Sequence, residues 1–66
     1  MRVIVNGQPM EIREGLTLAD LLGQLGVRRE YTAVALNREV APRTSYAATV
    51  LQDGDRVEIV HPMAGG

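Results

Sequence analysis

The sequence predicts an α+β domain, with one helix packed against a small sheet. Three observations carry this. An alternating apolar segment runs directly into Asn6-Gly7 and a second segment returns from it, the pattern of a β-hairpin. Leu18, Leu21, Leu22 and Leu25 have the i, i+3, i+4, i+7 spacing of one helical face. The second half carries further β-rich runs, interrupted by turn signals at Asn37-Arg38 and Asp53-Gly54-Asp55.

Met1 to Val5 reads as a strand with Met1, Val3 and Val5 inward and Arg2 and Ile4 outward. Gln8 to Arg13 is the return strand, with Met10 and Ile12 inward. Pro9 suits an edge, because it has no N–H to donate to a ladder. Thr17 is the expected helix N-cap, and Asp20 three residues later completes a capping box. Leu16 and Leu21 form the hydrophobic staple across that cap. Gly23 inside the helix costs about 1 kcal/mol relative to alanine, which a close approach of helix to sheet would justify. Gly26 is the expected left-handed stop, with Val27 folding back as its apolar partner.

Arg28 to Tyr31 reads as a polar connection. Thr32 to Asn37 is a strand with Val34 and Leu36 on one face and Ala33 and Ala35 on the other. A tight turn at Asn37-Arg38 leads to a short strand at Glu39 to Ala41. Pro42 to Tyr46 is a loop with one irregular helical turn. Arg56 to Val60 is the last strand, with Val57 and Ile59 inward, and Pro62 stops it. Residues 62–66 are a tail of one domain spanning 1–66.

Composition excludes several function classes. There is no Phe and no Trp, so an aliphatic core of Val, Ile, Leu, Met and Ala is expected. The net charge of −1 gives no basic footprint for nucleic acid. No apolar run reaches transmembrane length. The chain opens in a strand-like segment without a signal pattern, so a cytoplasmic protein is expected. All seven basic residues are arginine, and there is no cysteine. The chain therefore offers no side-chain amine for Schiff-base chemistry and no thiol nucleophile. His61 alone cannot build a metal site.

What remains is the end of the chain, Met63-Ala64-Gly65-Gly66. Two side-chain-free residues can enter a narrow channel and adopt backbone angles closed to others. A terminal carboxylate is a poor electrophile, so it would be activated in a partner's ATP site, as an acyl-adenylate. A sulfur nucleophile could then make a terminal thiocarboxylate, with sulfur supplied from elsewhere. Ile4, Ala33, Ala35 and Val60, with Met63, are candidates for an apolar docking patch on the outer sheet face. Asp53-Gly54-Asp55 lacks the other ligands of a calcium loop and reads as a turn. His61 reads as a solvated histidine and Arg28-Arg29-Glu30 as a solvated loop. No paired-carboxylate site, phosphate-binding glycine loop or nucleophile triad is present in the sequence, so an independent enzyme is not expected.

Several segments together resemble a known family. Met-Arg-Val-Ile-Val-Asn-Gly at 1–7, Leu-Thr-Leu-Ala-Asp-Leu-Leu at 16–22, Val-Ala-Leu-Asn at 34–37, Val-Ala-Pro-Arg at 40–43 and Asp-Gly-Asp-Arg-Val-Glu-Ile-Val at 53–60 look like the ThiS sulfur carriers of thiamine biosynthesis. Ala-Gly-Gly at 64–66 completes the likeness. The resemblance implies a ubiquitin-like β-grasp fold: a mixed four- to five-stranded sheet on one α-helix, with a flexible Gly-Gly tail. It implies a carrier that is a monomer when free, holds no cofactor and is not an enzyme. An E1-like adenylyltransferase of the ThiF type would use ATP and magnesium to adenylate Gly66. Met63, Ala64 and Gly65 would occupy that partner's channel. A persulfide relay fed by a cysteine desulfurase would form the thiocarboxylate, and a thiazole synthase of the ThiG type would take the sulfur.

The family often has glycine after the asparagine of the second hairpin, where this chain has Arg38. A type I′ turn there would place Arg38 at positive φ at some cost. Three other functions fit the same tail. It could serve the small subunit of molybdopterin synthase or a carrier for another sulfur pathway, such as tRNA thiolation. It could join Gly66 to lysines of target proteins. It could also be incidental to a β-grasp interaction module.

Overall fold

A computed structural model describes residues 1–61. Pro62, expected to end the last strand, and the tail residues Met63, Ala64, Gly65 and Gly66 lie outside the described residues.

Strand β1 (Arg2–Val5) turns at Asn6-Gly7 into β2 (Gln8–Glu11). Asn6 (φ 49°) and Gly7 (φ 82°) are both left-handed, the geometry of a type I′ turn. The turn closes a register that pairs Val5 with Gln8 and Val3 with Met10. Pro9 lies opposite Ile4, on the edge strand of the sheet. β1 ends at Val5 as the alternation suggests, whereas β2 stops at Glu11, two residues sooner than expected, and Ile12 reaches the core just after it.

Helix α1 (Leu18–Leu25) begins with the expected capping box. The Asp20 N–H donates to Thr17 Oγ1 at 3.1 Å, and the Thr17 N–H donates to Asp20 Oδ2 at 3.2 Å. These bonds hold the Asp20 carboxyl below the usual aspartate range. The helix stops at Gly26 (φ 71°), where Gly26 N–H donates to Gly23 O and Val27 N–H to Leu22 O, a Schellman pattern. Leu18, Leu21 and Leu22 are buried, whereas Leu25 is 38% exposed. The last of the four expected core leucines thus reaches the rim.

A short 3₁₀ turn, Arg29–Tyr31, occupies the expected polar connection. Strand β3 (Ala33–Leu36) turns through Asn37 (φ 51°) and Arg38 (φ 73°) into β4 (Glu39–Val40). Arg38 therefore adopts the left-handed conformation that the turn demands. A longer 3₁₀ segment, Arg43–Ala48, packs along α1. A single bridge joins Thr17 to Val50, and Leu51 N–H donates to Leu16 O at 2.9 Å, tying the helix entry to the approach of the last strand.

Strand β5 (Arg56–Val60) completes a five-stranded sheet in the order β2-β1-β5-β3-β4. It runs parallel to β1 and antiparallel to β3. Val3, Val34, Val57 and Ile59 from the sheet, Leu18, Leu21 and Leu22 from α1, and Leu16 and Leu51 from the connections form the core.

Two expectations about packing are overturned. The core is not wholly aliphatic, because Tyr46 of the second 3₁₀ segment is 1% exposed within it. Its ring joins the core from the segment that packs along α1. Nor does Gly23 serve a close helix–sheet contact: a methyl group there would meet nothing within 4 Å.

Candidate functional site

The site is built where β5 delivers the chain towards residue 62. Burial alternates along β5, with Val57 and Ile59 in the core and Arg56, Glu58 and Val60 exposed. Two buried anchors and two flanking strands make this a fixed base. On one side, β3 pairs Val34 with Ile59 and Ala33 with Val60. On the other, β1 pairs Ile4 with Arg56 and Val5 with Val57. The Asn6 side chain continues past that point. Ile59 N–H donates to Asn6 Oδ1 at 2.7 Å, and Asn6 Nδ2 donates to the Ile59 carbonyl at 3.3 Å.

The register sorts the candidate docking residues. Ile4, Ala33, Ala35 and Val60 all fall on the outer face, opposite the helix. Ala33 pairs with Val60, which is 58% exposed, and Ala35 pairs with Glu58. Ile4 lies beside Arg56 instead, so Arg56 and Glu58 separate it from the Ala33–Val60 pair. The structure brings three of the four together and sets Ile4 apart. It also adds Val40, which pairs with Ala35 and is 78% exposed. The signal for Val40 was the two-residue turn at Asn37-Arg38, whose register places it across from Ala35.

A shallow cleft of about 390 Å³ opens beside His61, lined by Leu25, Val27, Arg28 and Tyr31. The Arg28 guanidinium sits 5.5 Å from the centre of the exposed Tyr31 ring, a cation–π contact. His61 is exposed, as expected.

Asp53-Gly54-Asp55 is a structural turn. Asp53 Oδ1 accepts from Arg2 N–H at 2.8 Å, Asp55 Oδ2 accepts from Gln52 N–H at 2.7 Å, and Asp55 Oδ1 accepts from Asn37 Nδ2 at 3.0 Å. Intrachain donors engage both carboxylates. Among the described residues no group of three His, Cys, Asp or Glu could hold a metal ion, and no helix is long and apolar enough to cross a membrane.

The described site is thus a strand fixed on both sides, with a partly apolar outer face. The family model described as the ThiS family matches residues 3–66. The chain belongs to the ThiS family.

The match extends over Gly65 and Gly66, which places these two residues within the ThiS pattern. The chain is 36% identical to the sulfur carrier protein ThiS of Escherichia coli, with all of both chains covered. It is 39% identical, over all 66 residues, to a thiazole synthase of Paramagnetospirillum magneticum. It spans only about a fifth of the length of that relative, and likewise of a thiazole synthase from Magnetococcus marinus. The crystal structure of the thiamine biosynthesis protein ThiS from Geobacter metallireducens superimposes with a TM-score of 0.87 at 42% identity, over the whole of both chains. The ThiS β-grasp architecture anticipated from sequence is therefore the fold of this chain.

Proposed function

We propose that this chain is a sulfur carrier of thiamine biosynthesis, a covalently modified co-substrate and not itself an enzyme. The observation that carries the reading is the ThiS match running through Gly65-Gly66, together with the full-length likeness to a protein named as a sulfur carrier. The physical setting supports it: the chain has no cysteine or lysine, and its last strand is locked into the centre of the sheet.

In this reading a Gly66 carboxylate oxygen attacks the α-phosphorus of ATP in an E1-like adenylyltransferase. Acyl-adenylate forms and pyrophosphate leaves, with magnesium and ATP both belonging to the partner. The terminal sulfur of a persulfide, charged by a cysteine desulfurase, attacks the acyl carbon and displaces AMP. A thiol then cleaves the resulting acyl disulfide, leaving the thiocarboxylate on Gly66 and a disulfide on the relay. Thiazole synthase takes the sulfur into the thiazole phosphate precursor, a partnership supported by the relatives of that name that contain a region like this chain. Met63, Ala64 and Gly65 occupy the partner's activating channel, and the outer-face residues Ala33, Ala35, Val40 and Val60 form the docking surface, with Ile4 at its margin.

Intact mass tests the reading. Incubation with the adenylyltransferase, ATP and a persulfide source should replace one oxygen of the Gly66 carboxylate by sulfur. A protein with a free Gly66 carboxylate that gains no such mass is not this carrier. Deleting Gly66 should abolish the gain while leaving the fold unchanged.

A further inference from the structure

We infer that Asn6 is a positioning residue, whose side-chain amide fixes the point at which β5 releases the chain towards Gly66. This rests on the carrier reading above.

Along the parallel β1–β5 ladder, Ile4 N–H donates to Asp55 O and Asn6 N–H to Val57 O, each at 2.9 Å. The next two rungs would need the backbone carbonyl of residue 6 and the N–H of residue 8. Neither is available, because the chain turns back at Asn6-Gly7 and Gln8 pairs with Val5. The Asn6 side chain supplies both groups. Its Oδ1 accepts from Ile59 N–H at 2.7 Å and its Nδ2 donates to Ile59 O at 3.3 Å. A carboxamide has the donor and acceptor of a peptide group, so it substitutes for one. Aspartate would keep the acceptor and lose the donor.

Without this amide, β1 would hold β5 only as far as Val57, and β3 alone would hold Ile59 and Val60. A partner that must thread the following residues into a narrow site would then also have to order their base. The cost falls on productive binding, not on the chemical step.

The molecule contains its own control. Asn37 occupies the equivalent left-handed position of the other two-residue turn (φ 51°). Its Oδ1 accepts from Arg56 N–H at 2.9 Å and its Nδ2 donates to Asp55 at 3.0 Å, at the opposite end of β5. Asn6→Gly and Asn37→Gly each remove two hydrogen bonds and keep a residue that tolerates positive φ.

The full chain and both variants would be assayed as substrates for ATP–pyrophosphate exchange by the carboxylate-adenylating enzyme of the same host. Asn6→Gly should raise KM for the carrier about tenfold and change kcat less than about twofold, on the scale of two net hydrogen bonds. Asn37→Gly should leave KM within about twofold, and Asn6→Asp should fall between wild type and Asn6→Gly. Equal KM changes in the two glycine variants, or none in Asn6→Gly, would overturn the inference. If wild-type chain drives no exchange, the carrier reading fails, and amide hydrogen exchange judges Asn6 by itself. Faster exchange at Ile59 and Val60 in Asn6→Gly but not Asn37→Gly supports it, and unchanged protection overturns it.

Discussion

The two faces of the sheet follow different rules. The inner face is sealed: Val3, Val34 and Val57 are almost inaccessible, and α1 with the Tyr46 segment covers them. The outer face has no covering layer among the described residues. Apolar Val60, Ala33, Ala35 and Val40 share it with Arg2, Glu11, Arg56 and Glu58. The Arg2–Glu11 pair, 2.8 Å apart and exposed, contributes little stability. A single strand, β5, serves both faces: its odd residues hold the fold and its even residues meet solvent. The fold and its presentation can therefore be altered separately, one residue apart.

The largest expected break is on the inner side. Tyr46→Ala should cost about 3–5 kcal/mol, because it empties a fully buried aromatic site in a small core. Urea unfolding should report this as a lower midpoint, and an unchanged midpoint would refute the packing role. On the outer side, Val60→Asp should change stability by less than about 0.5 kcal/mol. It should slow thiocarboxylate formation about tenfold if the patch docks partners, a loss of about 1.4 kcal/mol. Equal damage to stability and transfer would collapse the distinction between the faces.

Gly23→Ala comes next. An added methyl group meets open space at this position, so the helix should gain about 0.5–1 kcal/mol, read as a higher Tm. The smallest effect concerns Asp20. Its carboxyl is held below the usual range by the Thr17 backbone and side-chain hydrogen bonds. A folded-state pKa below the unfolded one adds stability that is complete above the ordinary aspartate value, about 3.9. That stability is lost as pH falls through the lowered folded-state pKa. Thermal melts of Asp20→Ala and wild type should therefore differ near neutral pH and converge in acid.

What could be read from the sequence was what local chemistry decides. Asn6-Gly7 specifies a turn because both residues accept positive φ, and Thr17 with Asp20 specifies a helix start because each satisfies the other's N–H. Gly26 and Gly54 likewise sit in the left-handed region, where turns require it. Non-local features were harder to see. The parallel pairing of Ile4 with Arg56 joins residues far apart in sequence, and no local pattern encodes it. Tyr46 lies in a 3₁₀ segment with no helical or strand period to mark its inward side. Ile4 could be set apart from the Ala33–Val60 pair only once the strand order and register were known. The Gly65-Gly66 pattern was legible as a pair of side-chain-free residues, and the sulfur chemistry proposed for it rests on family likeness.

The central place of β5 has a consequence for how the molecule is made. The first and last strands are adjacent, so the sheet cannot close until residues 56–60 have left the ribosome. Such distant pairing forms late, since loop closure must precede the contacts that reward it. A chain that stops short of β5 would leave β1 and β3 without the strand that joins them. Seating of β5 and closure of the sheet are therefore one event.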